Sequence, residues 1–140
     1  MKPNLVLMSH GRLASAFIEA AKMILGELDN YDIIDMQPDD SFDTIEDKLK
    51  SILNKIQDNN ILILTDLCGC TPFNIASKFY RKYSNISLIS GMNLDMVIEY
   101  FASDVHDDIN KLINDIISVS RDSIVLYSKT FNEVYEDIDI

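Results

Sequence analysis

Apolar residues along this chain fall into blocks whose spacing switches repeatedly between a strand pattern and a helix pattern. Asn4-Leu5-Val6-Leu7-Met8 is a short, continuous apolar run of the kind that becomes a strand buried on both faces. From Leu13 to Leu25 the apolar positions Ala14, Phe17, Ile18, Ala21, Ile24 and Leu25 recur at helical spacing, with Gly26 as a stop. Tyr31 to Met36 predicts a second strand. Gln37-Pro38-Asp39-Asp40-Ser41 then turns the chain and caps a helix through Ile45, Leu49, Ile52, Leu53 and Ile56, whose acidic first turn suits the positive end of the helix dipole. Ile61-Leu62-Ile63-Leu64-Thr65 is the clearest buried strand, and it ends at Asp66. After a loop, Ile75, Ala76, Phe79 and Tyr80 predict the buried stripe of another helix.

The second half repeats the alternation. Residues 86–89 predict a fourth strand, Gly91-Met92-Asn93 a turn, 94–102 and 107–120 two helices, and 123–127 a last β-like run. Strands alternating with helices predict an α/β fold, a three-layer sandwich around a mostly parallel sheet, with ligands at the carboxyl ends of strands. His10 and Asp66 both lie at such ends. Thr71-Pro72 predicts a helix start, with Thr as N-cap and Pro at the first helical position. That start directs unpaired N–H groups at whatever lies in front of it. A small anion there would meet the backbone of Gly69, Cys70 and the first turn as far as Phe73, with the Thr71 hydroxyl as a further donor.

Histidine beside such a cradle changes its meaning, because a neutral imidazole nitrogen is a nucleophile toward phosphorus and also a good leaving group. One ring nitrogen must keep its lone pair, so the other must donate its proton. Asp66 is the candidate acceptor, fixing the tautomer and stabilising the positive charge that develops on the ring. Ser9 and Arg12 are candidate auxiliary groups. His106, flanked by Asp104, Asp107 and Asp108, reads as a solvated loop residue.

Composition narrows the partners. The 140 residues, 47% of them hydrophobic, suit one domain with its own core. With 12 basic against 23 acidic residues the net charge is −11, which repels a nucleic-acid backbone or an anionic membrane. The opening apolar run is too short for a signal region or a span, so a cytoplasmic location is expected. Cys68 and Cys70, one residue apart, are poorly placed for a structural disulfide and are expected as thiols. No nucleotide-binding glycine fingerprint is present. Zinc on Cys68, Cys70, His10 and Asp66, or a Cys–His hydrolase, is a chemically conceivable alternative, although the cysteines lack the usual metal-ligand spacing.

Three segments together are similar to one family: His10-Gly11 after a strand, Asp66-Leu67-x-Gly69-x-Thr71-Pro72-Phe73-Asn74, and Gly91-Met92-Asn93-Leu94 with Met96. The chain resembles the enzyme IIA component of the mannose-type phosphoenolpyruvate-dependent sugar phosphotransferase system up to about residue 129, with 130–140 left as an acidic tail. The resemblance implies a carrier that takes a phosphoryl group onto His10 from the histidine-containing phosphocarrier protein and passes it to a IIB component, upstream of the membrane IIC and IID subunits. It implies Asp66 as the orienting carboxylate, Thr71 as a phosphoryl contact, and neither metal nor organic cofactor. It also implies a homodimer in which an antiparallel C-terminal strand, here 123–127, is exchanged. A regulatory module of the same fold, docking a partner according to the state of His10, is the alternative. Where the family commonly has two glycines this chain has Gly69 and Cys70, and a positive φ at Cys70 would cost about 1 kcal/mol or more.

Overall fold

The computed structural model describes residues 1–56, 59–104 and 108–128. The elements follow in the order β1 (Asn4–His10), α1 (Leu13–Leu25), β2 (Tyr31–Met36), α2 (Phe42–Lys55), β3 (Ile61–Thr65), α3 (Thr71–Lys82), β4 (Ile86–Ile89), α4 (Leu94–Ala102) and α5 (Ile109–Asp122). The four strands form one parallel sheet in the order β2-β1-β3-β4. β1 and β3 are therefore central neighbours, in register with Leu5 opposite Leu62 and Met8 opposite Thr65.

Side chains alternate across each central strand, which divides the core in two. Leu5, Leu7, Leu62 and Leu64 meet Ala14, Ile18 and Ala21 of α1, Val97 and Tyr100 of α4, and Leu112 and Ile116 of α5. Val6, Met8, Ile61 and Ile63 face the other way, onto Ile45 and Leu49 of α2 and Ile75, Ala76 and Phe79 of α3. Each such fully buried aliphatic side chain contributes about 1.5–3 kcal/mol relative to exposure. The sheet thus lies between a layer of α1, α4 and α5 and a layer of α2 and α3. This is the expected three-layer α/β arrangement.

Local caps set where the helices begin and end. Gly26 stops α1 at φ +87, its N–H bonded to the Lys22 carbonyl. Ser41 caps α2 by accepting from the Thr44 N–H, and Asn93 caps α4 by accepting from the Met96 N–H. Asp108 caps α5, which therefore starts at Ile109 and runs past the expected end at residue 120 to Asp122. His106 and the tail 130–140 lie outside the described residues.

Two expectations are corrected. Tyr80 is 53% exposed, because the α3 stripe that meets the sheet is completed by Ile75, Ala76 and Phe79. Ile24 and Leu25 likewise sit at the exposed end of α1. The run 123–127, expected to pair across a dimer, pairs with no strand among the described residues of its own chain: Ser123 closes α5, and Ile124, Val125, Leu126 and Tyr127 are exposed. Strand propensity has effect only where a neighbouring ladder is available.

Candidate functional site

The alternation that sends Val6 and Met8 toward α2 and α3 sends His10, the last residue of β1, to the same face at the carboxyl edge of the sheet. Its side chain is 43% exposed. One strand over, the chain leaves β3 through Asp66, whose side chain is only 8% exposed. Asp66 Oδ2 accepts from the His10 main-chain N–H at 2.8 Å and lies 2.7 Å from His10 Nδ1, while Oδ1 accepts from the Leu67 N–H at 2.8 Å. Burial pushes this carboxyl up, but the hydrogen bonds from His10 and Leu67 outweigh burial and hold it below its ordinary value of 3.8. An ionised Asp66 only accepts, so Nδ1 carries the proton and Nε2 presents its lone pair outward.

The loop after Asp66 delivers α3, which packs over β1 and β3. Thr71 is not the N-cap. Cys70 takes that position at φ −88 and ψ 174, its carbonyl accepting from the Asn74 N–H at 2.9 Å. Thr71 and Pro72 are then the first two helical residues, which leaves the Thr71 hydroxyl uncommitted to capping. The left-handed conformation falls on Gly69, φ +83, so Cys70 carries no backbone strain. The Cys70 N–H closes a turn onto the Leu67 carbonyl at 3.3 Å. The Thr71 and Phe73 amides come before Asn74, whose N–H is the first to bond an intrahelical carbonyl, and Pro72 has no N–H, so these two donors have no intrahelical carbonyl to bond. A half-exposed imidazole with an outward lone pair, at the strand edge where an unsatisfied helix start also begins, is equipment for holding an anion that is covalently attached to the ring.

Of the auxiliary candidates, Ser9 serves the fold instead. Ser9 is fully buried, pointing away from His10, and its hydroxyl accepts from the Ala14 N–H at 2.7 Å. Arg12 precedes α1, and its guanidinium lies 3.8 Å from Glu19. Among the described residues no group of three His, Cys, Asp or Glu side chains is placed to hold a metal ion, so the zinc alternative lacks a ligand set.

Two supports of the site were not among the residues picked out for it, although the second falls in the Gly91-Met92-Asn93 motif. Asp35, near the end of β2, accepts from the Ser15 N–H at 3.2 Å and from the Ser15 hydroxyl. With Ser9 it satisfies the first amides of α1, fixing the turn that follows His10; a carboxylate at a strand end beside a helix lacking acidic residues in its first turn was the available signal. The Gly91 and Met92 N–H groups donate to the carbonyls of Asp66 and Thr65, at 3.0 and 2.9 Å, tying the β4–α4 turn to the end of β3.

An α/β protein with a carboxylate-oriented histidine at the sheet edge is the class that fold and site define. Within that class, the family model for the PTS system fructose IIA component matches residues 4–117, and the chain belongs to this family. It is 28% identical over 135 residues, 96% of this chain and 98% of the relative, to the PTS system sorbose-specific EIIA component of Lacticaseibacillus casei. It is 25% identical over 132 residues, 94% of this chain and 90% of the relative, to the PTS system fructose-specific EIIA component of Bacillus subtilis. Among solved structures, the mannose/sorbose specific IIA subunit of the phosphotransferase system from Enterococcus faecalis superposes with a TM-score of 0.85 at 33% identity, covering 91% of this chain and 96% of that one. No helix among the described residues is long and apolar enough to cross a membrane.

Proposed function

We propose that the protein is a cytoplasmic phosphoryl carrier of a sugar phosphotransferase system, loaded on His10 Nε2 by the phosphohistidine of the histidine-containing phosphocarrier protein and unloaded onto a IIB component. The observation that carries the reading is the 2.7 Å contact of His10 Nδ1 with a nearly buried Asp66, which leaves the exposed nitrogen nucleophilic. In the transfer, the Nε2 lone pair forms a P–N bond as the P–N bond of the donor breaks. The donor imidazole leaves neutral, and the new positive charge on His10 faces the Asp66 carboxylate. Breaking one P–N bond while making another costs little net energy, so the protein supplies position and electrostatic stabilisation. The Thr71 hydroxyl and the amides of Thr71 and Phe73 are assigned to the phosphoryl oxygens.

Incubation with phosphoenolpyruvate, enzyme I and the phosphocarrier is expected to give an acid-labile phosphoprotein, and His10→Ala to abolish it. Equal labelling of the alanine variant would end the assignment. The chain is further proposed to act as a homodimer in which 123–127 adds an antiparallel strand to a partner subunit. The exposed apolar side chains of Ile124, Val125, Leu126 and Tyr127 and the outer edge of β4, which is unpaired among the described residues, support this.

A further inference from the structure

Both cysteines of the chain sit in the loop that joins Asp66 to α3, and the phosphoryl chemistry uses neither thiol. Residues 67–70 form a β-turn closed by the Cys70 N–H on the Leu67 carbonyl, with Gly69 at φ +83 in the third place, the signature of a type II turn. Cys68 and Cys70 are its second and fourth residues. Two Cα–Cα steps of about 3.8 Å, bent back at a left-handed glycine, keep the cysteine Cα atoms inside the range of about 4.4–6.8 Å that a disulfide spans. Both are free thiols: Cys68 is exposed, Cys70 is half-buried, and the Cys70 side chain makes no capping bond to α3.

A bond across so short a loop removes almost no chain entropy, so it is useless as a staple. With Cys68 exposed, it stays open to reduction again, which is the property of a switch. The loop is also where a switch would act. It is pinned to Asp66 Oδ1 by the Leu67 N–H, and to α3 by the Asn74 side-chain amide on the Gly69 carbonyl at 2.9 Å. The 3.3 Å Cys70–Leu67 bond is the longest contact in the turn and the first to yield. Drawing the two sulfurs together reorients the peptides on either side of Gly69, which lie between the carboxylate that holds His10 and the amides assigned to the phosphoryl group.

We propose that Cys68 and Cys70 are a reversible oxidation site, a dithiol that peroxide closes into an intraloop disulfide, and that closure slows phosphoryl transfer through His10; the second half rests on the carrier reading above. In the first step the thiolate sulfur of one cysteine attacks a peroxide oxygen. An S–O bond forms, the O–O bond breaks, and hydroxide leaves and is protonated to water. In the second step the other thiolate attacks the resulting sulfenic sulfur, so that the S–S bond forms as the S–O bond breaks, and the departing hydroxide takes up the remaining thiol proton as a second water. The two sulfurs together lose the electron pair that the peroxide gains.

The test uses the full chain, reduced and then treated with equimolar hydrogen peroxide. Non-reducing peptide mass spectrometry is expected to show a 68–70 disulfide, marked by the loss of a pair of hydrogens, and thiol titration to fall to zero. Loading from the phosphorylated phosphocarrier should slow about tenfold or more through the displaced cradle and recover with dithiothreitol. Cys68→Ser, which leaves the proposed phosphoryl-contacting residues in place, should form no disulfide and keep its loading rate through the treatment. Sulfinic acids or intermolecular bonds in place of the 68–70 linkage would overturn the oxidation site. A disulfide-bonded chain that loads as fast as the reduced one would overturn the switch. If the reduced chain fails to load at all, the carrier reading falls and the switch with it, while mass and thiol titration still decide the oxidation site by themselves.

Discussion

Asp66 is asked to do two things at once, and one substitution separates them. Its Oδ2 receives both the main-chain N–H and the ring of His10, and its Oδ1 receives the Leu67 N–H. An asparagine keeps the shape and can still accept, but its amide hydrogens favour a ring nitrogen with a lone pair. In that arrangement Nδ1 becomes the acceptor and Nε2 carries the proton, so the exposed nitrogen can no longer attack. Asp66→Asn is expected to lower the loading rate by about 10²–10⁴-fold, by analogy with other wrong-tautomer substitutions, with the circular dichroism spectrum unchanged. The same carboxylate contributes to stability in a pH-dependent way. Its folded pKa is depressed below the ordinary 3.8, so the folded chain binds fewer protons than the unfolded chain through that range. The stabilisation is fully present above the unfolded value and is lost as the pH falls through the folded value. Urea titrations from neutrality down through about pH 3 should show a decline in wild-type stability that is shallower in Asp66→Asn.

The elements owe their positions to capping and pinning as much as to their apolar stripes. The polypeptide before β1 is held to the end of α4: the Tyr100 hydroxyl donates to the Pro3 carbonyl and accepts from the Asn30 side-chain amide at 3.0 Å. Lys2 Nζ adds bonds to the carbonyls of Tyr100 and Phe101, at 2.8 and 3.2 Å. Burial pushes the Tyr100 phenol up to about 12, so it remains a donor throughout the physiological range. Tyr100→Phe leaves the ring in place, and Pro3 keeps a second donor in Asn30 at 3.2 Å. The expected cost is therefore about 1–2 kcal/mol, read as a lower urea midpoint at unchanged slope. Such cross-chain bonds were not legible in the sequence, because nothing local to Tyr100 marks Pro3 as its acceptor. Every strand of the sheet was legible, since continuous apolar runs such as 61–65 have few alternatives, and so was the pairing of His10 with Asp66 once β1 and β3 were set side by side. The start of α3 was displaced by one residue: Thr71 and Cys70 differ in capping propensity, but the turn geometry around Gly69 decided which of them became extended. Ser9 looked like a site residue from its neighbourhood in the chain. The period of the strand turned it into the core, where it anchors α1.

For the whole molecule, the segment after α5 is the apolar surface that one copy leaves uncovered. Ile124 and Leu126 are 84% and 89% exposed, a cost that a second copy of the chain would offset by pairing this run with a strand edge. The segment lies near the outer edge of β4, where Leu88, Ile89, Met96, Ile113 and Ile117 line a shallow groove reaching Ile124. His10 and Asp66 are tied together within one chain, and Thr71 opens the helix that follows Asp66 in the same chain. These facts predict a separable phenotype. Leu126→Asp adds a carboxylate to a chain already carrying a net charge of −11, at a position that costs the isolated subunit nothing because it is solvent-exposed. In sedimentation equilibrium the wild type is expected to be a dimer whose melting temperature rises with protein concentration, and the variant a monomer whose melting temperature does not. Loading of His10 should persist in the variant. A wild type that sediments as a monomer, or a Leu126→Asp chain that still dimerises, would remove the exchanged strand from the account. A monomeric variant that cannot be loaded would mean that the partner subunit completes the site.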